Sequence, residues 1–206
     1  MKSWIYIVVG VLAAVGLSLL WGLIRPQTTV APTLNQNSQQ VNLNSPTNTS
    51  TPTTTEFSTA DLPDRDPKLN FSASVPAGWV AEYVSGSQAI NLYNPIAAGS
   101  TTLERSQIFV KYFEASSFQT LTTVDIKSRK ETTVNNRPAM VYVIQKKSGQ
   151  ADFASQPAWR NLEHTVTDIR STDTTPSLYL VVAQRPGLSP TIYDAFLGSI
   201  DFPAES

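Results

Sequence analysis

Apolar residues along this chain fall into three regimes. From Trp4 to Ile24 they are nearly continuous, without a charged residue and with one serine hydroxyl. From Pro26 to Thr55 they almost vanish, and Thr, Asn, Gln, Ser and Pro take their place. After that they alternate with polar residues in short runs. The first regime predicts a helix. About 21 residues at roughly 1.5 Å each span about 31 Å, the thickness of a bilayer's hydrocarbon core. The second cannot bury enough apolar surface to offset its chain entropy, which predicts a disordered linker. The third predicts strands. Leu69, Phe71, Ala73 and Val75 alternate with polar residues before Pro76-Ala77-Gly78-Trp79, a period of two followed by a turn. Further strands are expected at Ala89 to Tyr93 and Ile108 to Phe113. Lys127 to Val134 and Ala139 to Lys146 are expected to form a hairpin around Asn135-Asn136. Leu162 to Arg170 and Leu178 to Ala183 complete the set.

The strands Ala139 to Lys146 and Leu178 to Ala183 are apolar on both faces, so both ask for cover on two sides. Leu162 to Arg170 is more polar and suits a place nearer an edge. A weak helix is expected to start at Ser116 or Ser117 and carry Phe118, Leu121 and Val124. A firmer one runs from Pro190, with Ser189 as its cap and Ile192, Tyr193, Phe196, Leu197 and Ile200 on its core face.

The run Phe71-Ser72-Ala73-Ser74-Val75-Pro76-Ala77-Gly78-Trp79 resembles the opening of PsbP-like domains, a short strand followed by Val/Tyr-Pro-x-Gly-Trp. Gly198-Ser199-Ile200-Asp201-Phe202 resembles the end of the same family, with Ile200 where Phe is usual. These domains are relatives of the extrinsic PsbP subunit of photosystem II. The resemblance implies an α+β fold, an antiparallel β-sheet covered by helices in an α-β-α sandwich. The expected organisation is an anchor helix over residues 1–25, a linker over 26–65 and a PsbP-like domain over 66–206. Fold alone does not imply an activity.

Composition narrows the chemistry. The 206 residues contain no cysteine and one histidine, His164. Disulfides, thiolate metal sites, cysteine nucleophiles and histidine metal clusters are excluded within one chain. No phosphate-binding loop and no dinucleotide glycine fingerprint occur, so no cofactor is expected. The net charge is −1, and the only charged residues before Glu56 are Lys2 and Arg25, so the remainder is more acidic still. That balance argues against nucleic acid as a partner. The anchor, flanked by Lys2 and by Arg25-Pro26 with Trp4, Tyr6 and Trp21 near its ends, assigns the lipid bilayer as one partner. It is longer than the core of a cleaved signal peptide, the competing reading. A short cytoplasmic amino end with the rest outside is the simpler topology.

Candidate sites are few. Asp61, Asp64 and Asp66 cluster at the domain entry and read as a solvated turn more readily than as a cation site. His164 lacks a nucleophile elbow beside it and reads as a sheet residue. Lys127, Arg129, Lys130, Lys146 and Lys147 gather at one end of the hairpin. They suit either an acidic partner or plain edge protection. Phe153, Trp159 and Arg160 lie in a long loop. They suit either a protein-recognition hot spot or pins that hold the loop to the core. The expected function is a tethered, extracytoplasmic, non-catalytic module that binds another envelope protein. A carboxylate hydrolase and a small-ligand sensor are the alternatives.

Overall fold

The computed structural model describes residues 53–119 and 121–203. Nine strands lie along these residues: β1 Thr54–Ser58, β2 Ser72–Pro76, β3 Val80–Val84, β4 Ala89–Tyr93, β5 Ser106–Ala115, β6 Val124–Val134, β7 Arg137–Lys146, β8 His164–Arg170 and β9 Ser177–Gln184. Helix α1 spans Thr102–Arg105 and helix α2 spans Pro190–Ser199. Seven strands form one sheet in the order β3-β4-β5-β9-β8-β7-β6, with every neighbouring pair antiparallel. Strands β1 and β2 form a separate antiparallel pair. The first described strand, β1, lies within the stretch expected as linker over residues 26–65. Glu56 and Phe57 give this otherwise Thr-rich stretch enough to pair with β2, opposite Ser74 and Ala73. Among the described residues no helix is long and apolar enough to cross a membrane. The run Trp4–Ile24 and most of the linker lie outside them.

One face of the sheet is covered by β2 and α2. Leu69, Phe71, Ala73 and Val75 are all buried there, as their alternation predicts. They meet Ile90 and Leu92 of β4, Ile108 and Val110 of β5, Leu180 and Val182 of β9, and Tyr193, Phe196, Leu197 and Ile200 around α2. Gly78 takes φ +82° in the turn after β2, a conformation that disfavours a Cβ, and Trp79 folds back against this core. Pro190 starts α2 as expected, while the Ser189 side chain makes no capping bond. The Tyr193 hydroxyl donates to the Val182 carbonyl and accepts from the Thr167 hydroxyl, each at 2.9 Å, and ties α2 to the sheet centre. Replacing Tyr193 by Phe leaves the Val182 carbonyl short of a donor and the Thr167 hydroxyl short of an acceptor in a dry interior. We expect a loss of about 1–3 kcal/mol in a urea titration.

Among the described residues the opposite face carries no long helix, which corrects the expected second helical layer. Residues 116–119 and 121–123, in the stretch expected as a weak helix, are instead irregular, between the end of β5 and the start of β6. Their threonines and serines favour extended and turn backbone, and Phe118 and Leu121 still point inward, Phe118 onto the Tyr179 ring. The loop between β7 and β8 covers the rest, through Phe153 and the 3-10 turn Ala158–Asn161. β9 stands in the middle of the sheet, as its two apolar faces require. Strand β8, expected near an edge, is beside it. Asn135 and Asn136 adopt φ 46° and 63°, the backbone of a tight two-residue hairpin turn. The edge strands are β3 and β6, and β6 is exposed along nearly all its length and broken by a bulge between Ile126 and Ser128.

Candidate functional site

The polarity of β8 has a structural source. His164, Val166, Asp168 and Arg170 alternate onto the loop-covered face, and Thr165, Thr167 and Ile169 onto the other. His164 and Asp168 are nevertheless buried, Asp168 to 1 % exposure. Ionisable groups in that state are uncommon and need a reason.

Strand pairing sets the neighbours. Lys111 of β5 lies opposite Val181 of β9, Val181 opposite Asp168 of β8, and Asp168 opposite Met140 of β7. These four form one row across the sheet. Phe109, Ala183, Val166 and Tyr142 form the next. The loop lays Arg160 over them. Its Nη1 donates to His164 Nε2 at 2.7 Å, and its Nε donates to Gln156 Oε1 at 3.3 Å. His164 is thereby held with a proton on Nδ1, which donates to the Leu162 carbonyl at 2.8 Å. The Trp159 ring stands edge-on to the His164 ring, 5.7 Å between centroids, and its Nε1 donates to the Ser106 carbonyl.

The electrostatics follow from burial. Burial, and then the Arg160 charge, push His164 down to about 4. Burial pushes Asp168 up to about 7, against the pull of Arg160. Burial lowers Lys111, and Arg160 lowers it further. Tyr142 is raised by burial and by Asp168. Arg160 and Asp168 feel each other without forming an ion pair. Among the described residues, Asp168 Oδ2 and Arg170 Nε are buried with no hydrogen-bond partner. The result is a compact set of charged groups that the protein's own contacts leave incomplete.

The structure divides the residues singled out from the sequence. Trp159 and Arg160 are 7 % and 9 % exposed, and Phe153 is half-buried against the same core. They act as pins for the loop. Of the basic residues, Lys146 pairs with Asp152 at 2.7 Å, and Lys147 donates to the Thr122 carbonyl at 2.8 Å, holding the crossing segment. Lys127, Arg129 and Lys130 lie exposed on β6, with Arg129 and Lys130 on opposite faces. Asp66 accepts from the Tyr112 hydroxyl at 2.7 Å and from the Lys68 backbone at 2.9 Å. That bonding holds Asp66 below the usual carboxylate range and pushes Tyr112 up to about 12. Among the described residues no group of three or more His, Asp or Glu is placed to hold a metal ion. A groove of about 490 Å³ runs beside β2 and the end of α2, lined by Glu56, Asp61 and Asp201 with several serines.

Lys111 and Asp168 were not legible as site residues. Each sits singly in a strand, and only the sheet order and the overlying loop bring them to Arg160. The one local signal was His164 and Asp168 at alternate positions in a strand otherwise able to sit inside.

No family model and no curated protein matches the chain. Among solved structures it is similar to cyanobacterial PsbP (CyanoP) from Synechocystis sp. PCC 6803, known as a solution structure. The identity is 12 %, the match covers 78 % of this chain and 99 % of that one, and the TM-score is 0.43. A crystal structure from Bacteroides thetaiotaomicron VPI-5482 is more distant, at 10 % identity, 73 % and 48 % coverage and a TM-score of 0.29. The first of these bears the family name that the motifs around Phe71–Trp79 and Gly198–Phe202 resemble. At such identities and TM-scores neither likeness carries an argument about activity, ligand or partner.

Proposed function

We propose that this chain is a membrane-tethered, extracytoplasmic, non-catalytic accessory domain that binds another protein of the cell envelope. The tether is the reading of Trp4–Ile24 and the polar stretch after it. The amino end would be cytoplasmic and the folded domain outside. The observation that supports binding is the exposure of two large apolar side chains at one end of the sheet. Ile96, in the loop after β4, is 89 % exposed, and Leu162, before β8, is 58 % exposed. Both loops lie at the end where β5 and β8 begin, and the Trp159–Ser106 bond ties them together. Phe153, Trp159 and Arg160 then serve recognition by fixing the loop that presents Leu162, an arrangement that lowers the ordering cost on binding.

The test immobilises the full-length chain in detergent and exposes it to solubilised membranes of the source organism. A parallel bait carries Ile96→Ser and Leu162→Ser. We expect a protein retained by the first bait and lost from the second. Equal retention on both baits would move the interface elsewhere. No retention on either would remove the protein-binding reading.

A further inference from the structure

Where the preceding chain joins the fold decides which end of the sheet can lie nearest the bilayer. β1 runs beside β2 with Thr54 opposite Pro76, and the Ala77 backbone donates to the Thr53 carbonyl at 2.9 Å. The Gly78 turn then joins Pro76 to Val80, the first residue of β3. The chain therefore enters the fold at the end of the sheet where β3, β5, β6 and β8 begin and where β4, β7 and β9 finish.

Among the described residues four large apolar side chains are exposed, and all four lie at that same end. Val80 and Ile126 stand in the last row of the sheet. In it Val80 faces Tyr93 at one edge, and Ile126, Ile144 and His164 follow one another at the other. Ile96 and Leu162 lie in the loops beyond that row. The opposite end is closed by residues 85–88, 135–136 and 171–176, none of which exposes a large apolar side chain. Apolar surface left in water at one end only marks that end as a contact surface. Charges of both signs border it. Glu163 follows Leu162, Asp125 and Lys127 flank Ile126, and Lys146 is paired with Asp152. The end thus has apolar reach without a basic field, which favours the acyl-chain boundary of a bilayer over the charge of its headgroups.

We infer that this end of the domain rests on the lipid bilayer, with Ile96 and Leu162 inserted at the boundary of headgroups and acyl chains and with Val80 and Ile126 beside them. The inference rests on the tether proposed above and goes beyond its protein partner: lipid covers this end while no protein does. The point where the preceding chain ends identifies the occupant. Read as the linker its composition predicts, the stretch from residue 26 to 53 reaches about 30 Å, a typical span for a flexible chain of roughly 28 residues. A tether of that length holds the two loops at a millimolar effective concentration near the surface. A contact of two aliphatic side chains, too weak to recruit a free domain, then suffices to orient a tethered one.

The experiment reconstitutes the full-length chain in phosphatidylcholine vesicles whose lipid carries a nitroxide quencher high on the acyl chain. The sequence has no cysteine, so Ala98→Cys, Glu163→Cys and Thr133→Cys each take a single fluorescent label. The first two are exposed positions near Ile96 and Leu162, and Thr133 is exposed near the far end of β6. We expect strong quenching at the first two positions and little at the third, unchanged when anionic phosphatidylglycerol is added. Adding Ile96→Ser and Leu162→Ser is expected to lower the quenching at the first two positions about tenfold, since the contact then loses its leading apolar groups. A chain that floats with the vesicles yet is quenched equally at all three positions overturns the inference and leaves the tether standing; the surface would then be the protein partner's alone. A chain that does not float overturns both. Quenching that needs phosphatidylglycerol overturns the inference by showing a charge contact, and so does quenching that survives the two serines.

Discussion

Asp168→Asn is expected to make the protein more stable at pH 8 and to unmask an acid sensitivity that the parent hides. Asp168 titrates near 7 in the folded chain and at its ordinary 3.8 in the unfolded one. Between those values the folded state keeps a proton that the unfolded state releases. Stability from this group is therefore fully present below about 3.8 and is lost as pH rises through about 7. The difference corresponds to a cost on the order of 4 kcal/mol for holding the ionised carboxylate above pH 7. His164 has the opposite slope. Its folded value is about 4 against 6.5, so its contribution is present above about 6.5 and is lost as pH falls through about 4. The total is on the order of 3 kcal/mol.

Between roughly pH 4 and 6.5 the two slopes oppose and nearly cancel, so the parent is expected to be almost flat there. The other charged and titratable groups that share this face are Lys111 on β5, Arg160 on the loop, Arg170 on β8, Arg129 and Glu131 on β6 and Tyr142 on β7. In Asp168→Asn only the histidine slope remains. Urea titrations should show this variant more stable at pH 8 than at pH 5 by about 2 kcal/mol. His164→Gln should show the reverse, a loss from pH 5 to pH 8 of about 3 kcal/mol. Part of the gain in Asp168→Asn is offset because its amide also lacks partners, so the net gain over the parent at pH 8 is about 2 kcal/mol. Parallel pH profiles for all three proteins would mean that neither group is buried as described.

Trp159→Ala is the second large effect, in the destabilising direction. The indole is 7 % exposed and packs in the cluster with Phe109, Tyr142, Ile144, Val166 and Ala183. Truncation leaves a cavity under the loop, removes the indole donor to the Ser106 carbonyl, which keeps only Arg185 Nη1 at 3.4 Å, and removes the ring beside His164. Large aromatic-to-Ala changes in cores cost about 3–5 kcal/mol. The damage is expected to be uneven. The β2 and α2 layer lies on the other face of the sheet and keeps its contacts. The loop from residue 147 to 163 loses its main pin. Limited trypsin digestion should then cut after Arg160, which the parent protects by burial. A fall in global stability without faster cleavage at Arg160 would show that the indole does not hold the loop.

Local pattern determined much of this protein. The alternation of Leu69, Phe71, Ala73 and Val75 set which side of β2 is buried. Asn135-Asn136 set the β6–β7 turn, because Asn tolerates positive φ. Pro190 set the start of α2, and two apolar faces set β9 at the centre. Each is a short-range constraint, readable within ten residues. Tertiary structure alone decided the rest. The stretch between β5 and β6 has the apolar spacing of a helix, but its described residues 116–119 and 121–123 are irregular, because the chain must pass from one strand to another that lies four places away in the sheet. β8 looks like an edge strand because its polar residues suggest water. It is internal because the β7–β8 loop folds Trp159 and Arg160 over it and takes water's place. The cluster of Lys111, Arg160, His164 and Asp168 draws on three separate segments. Only strand order and one loop's descent make them neighbours, and charge at a single sequence position carries no record of what it will face.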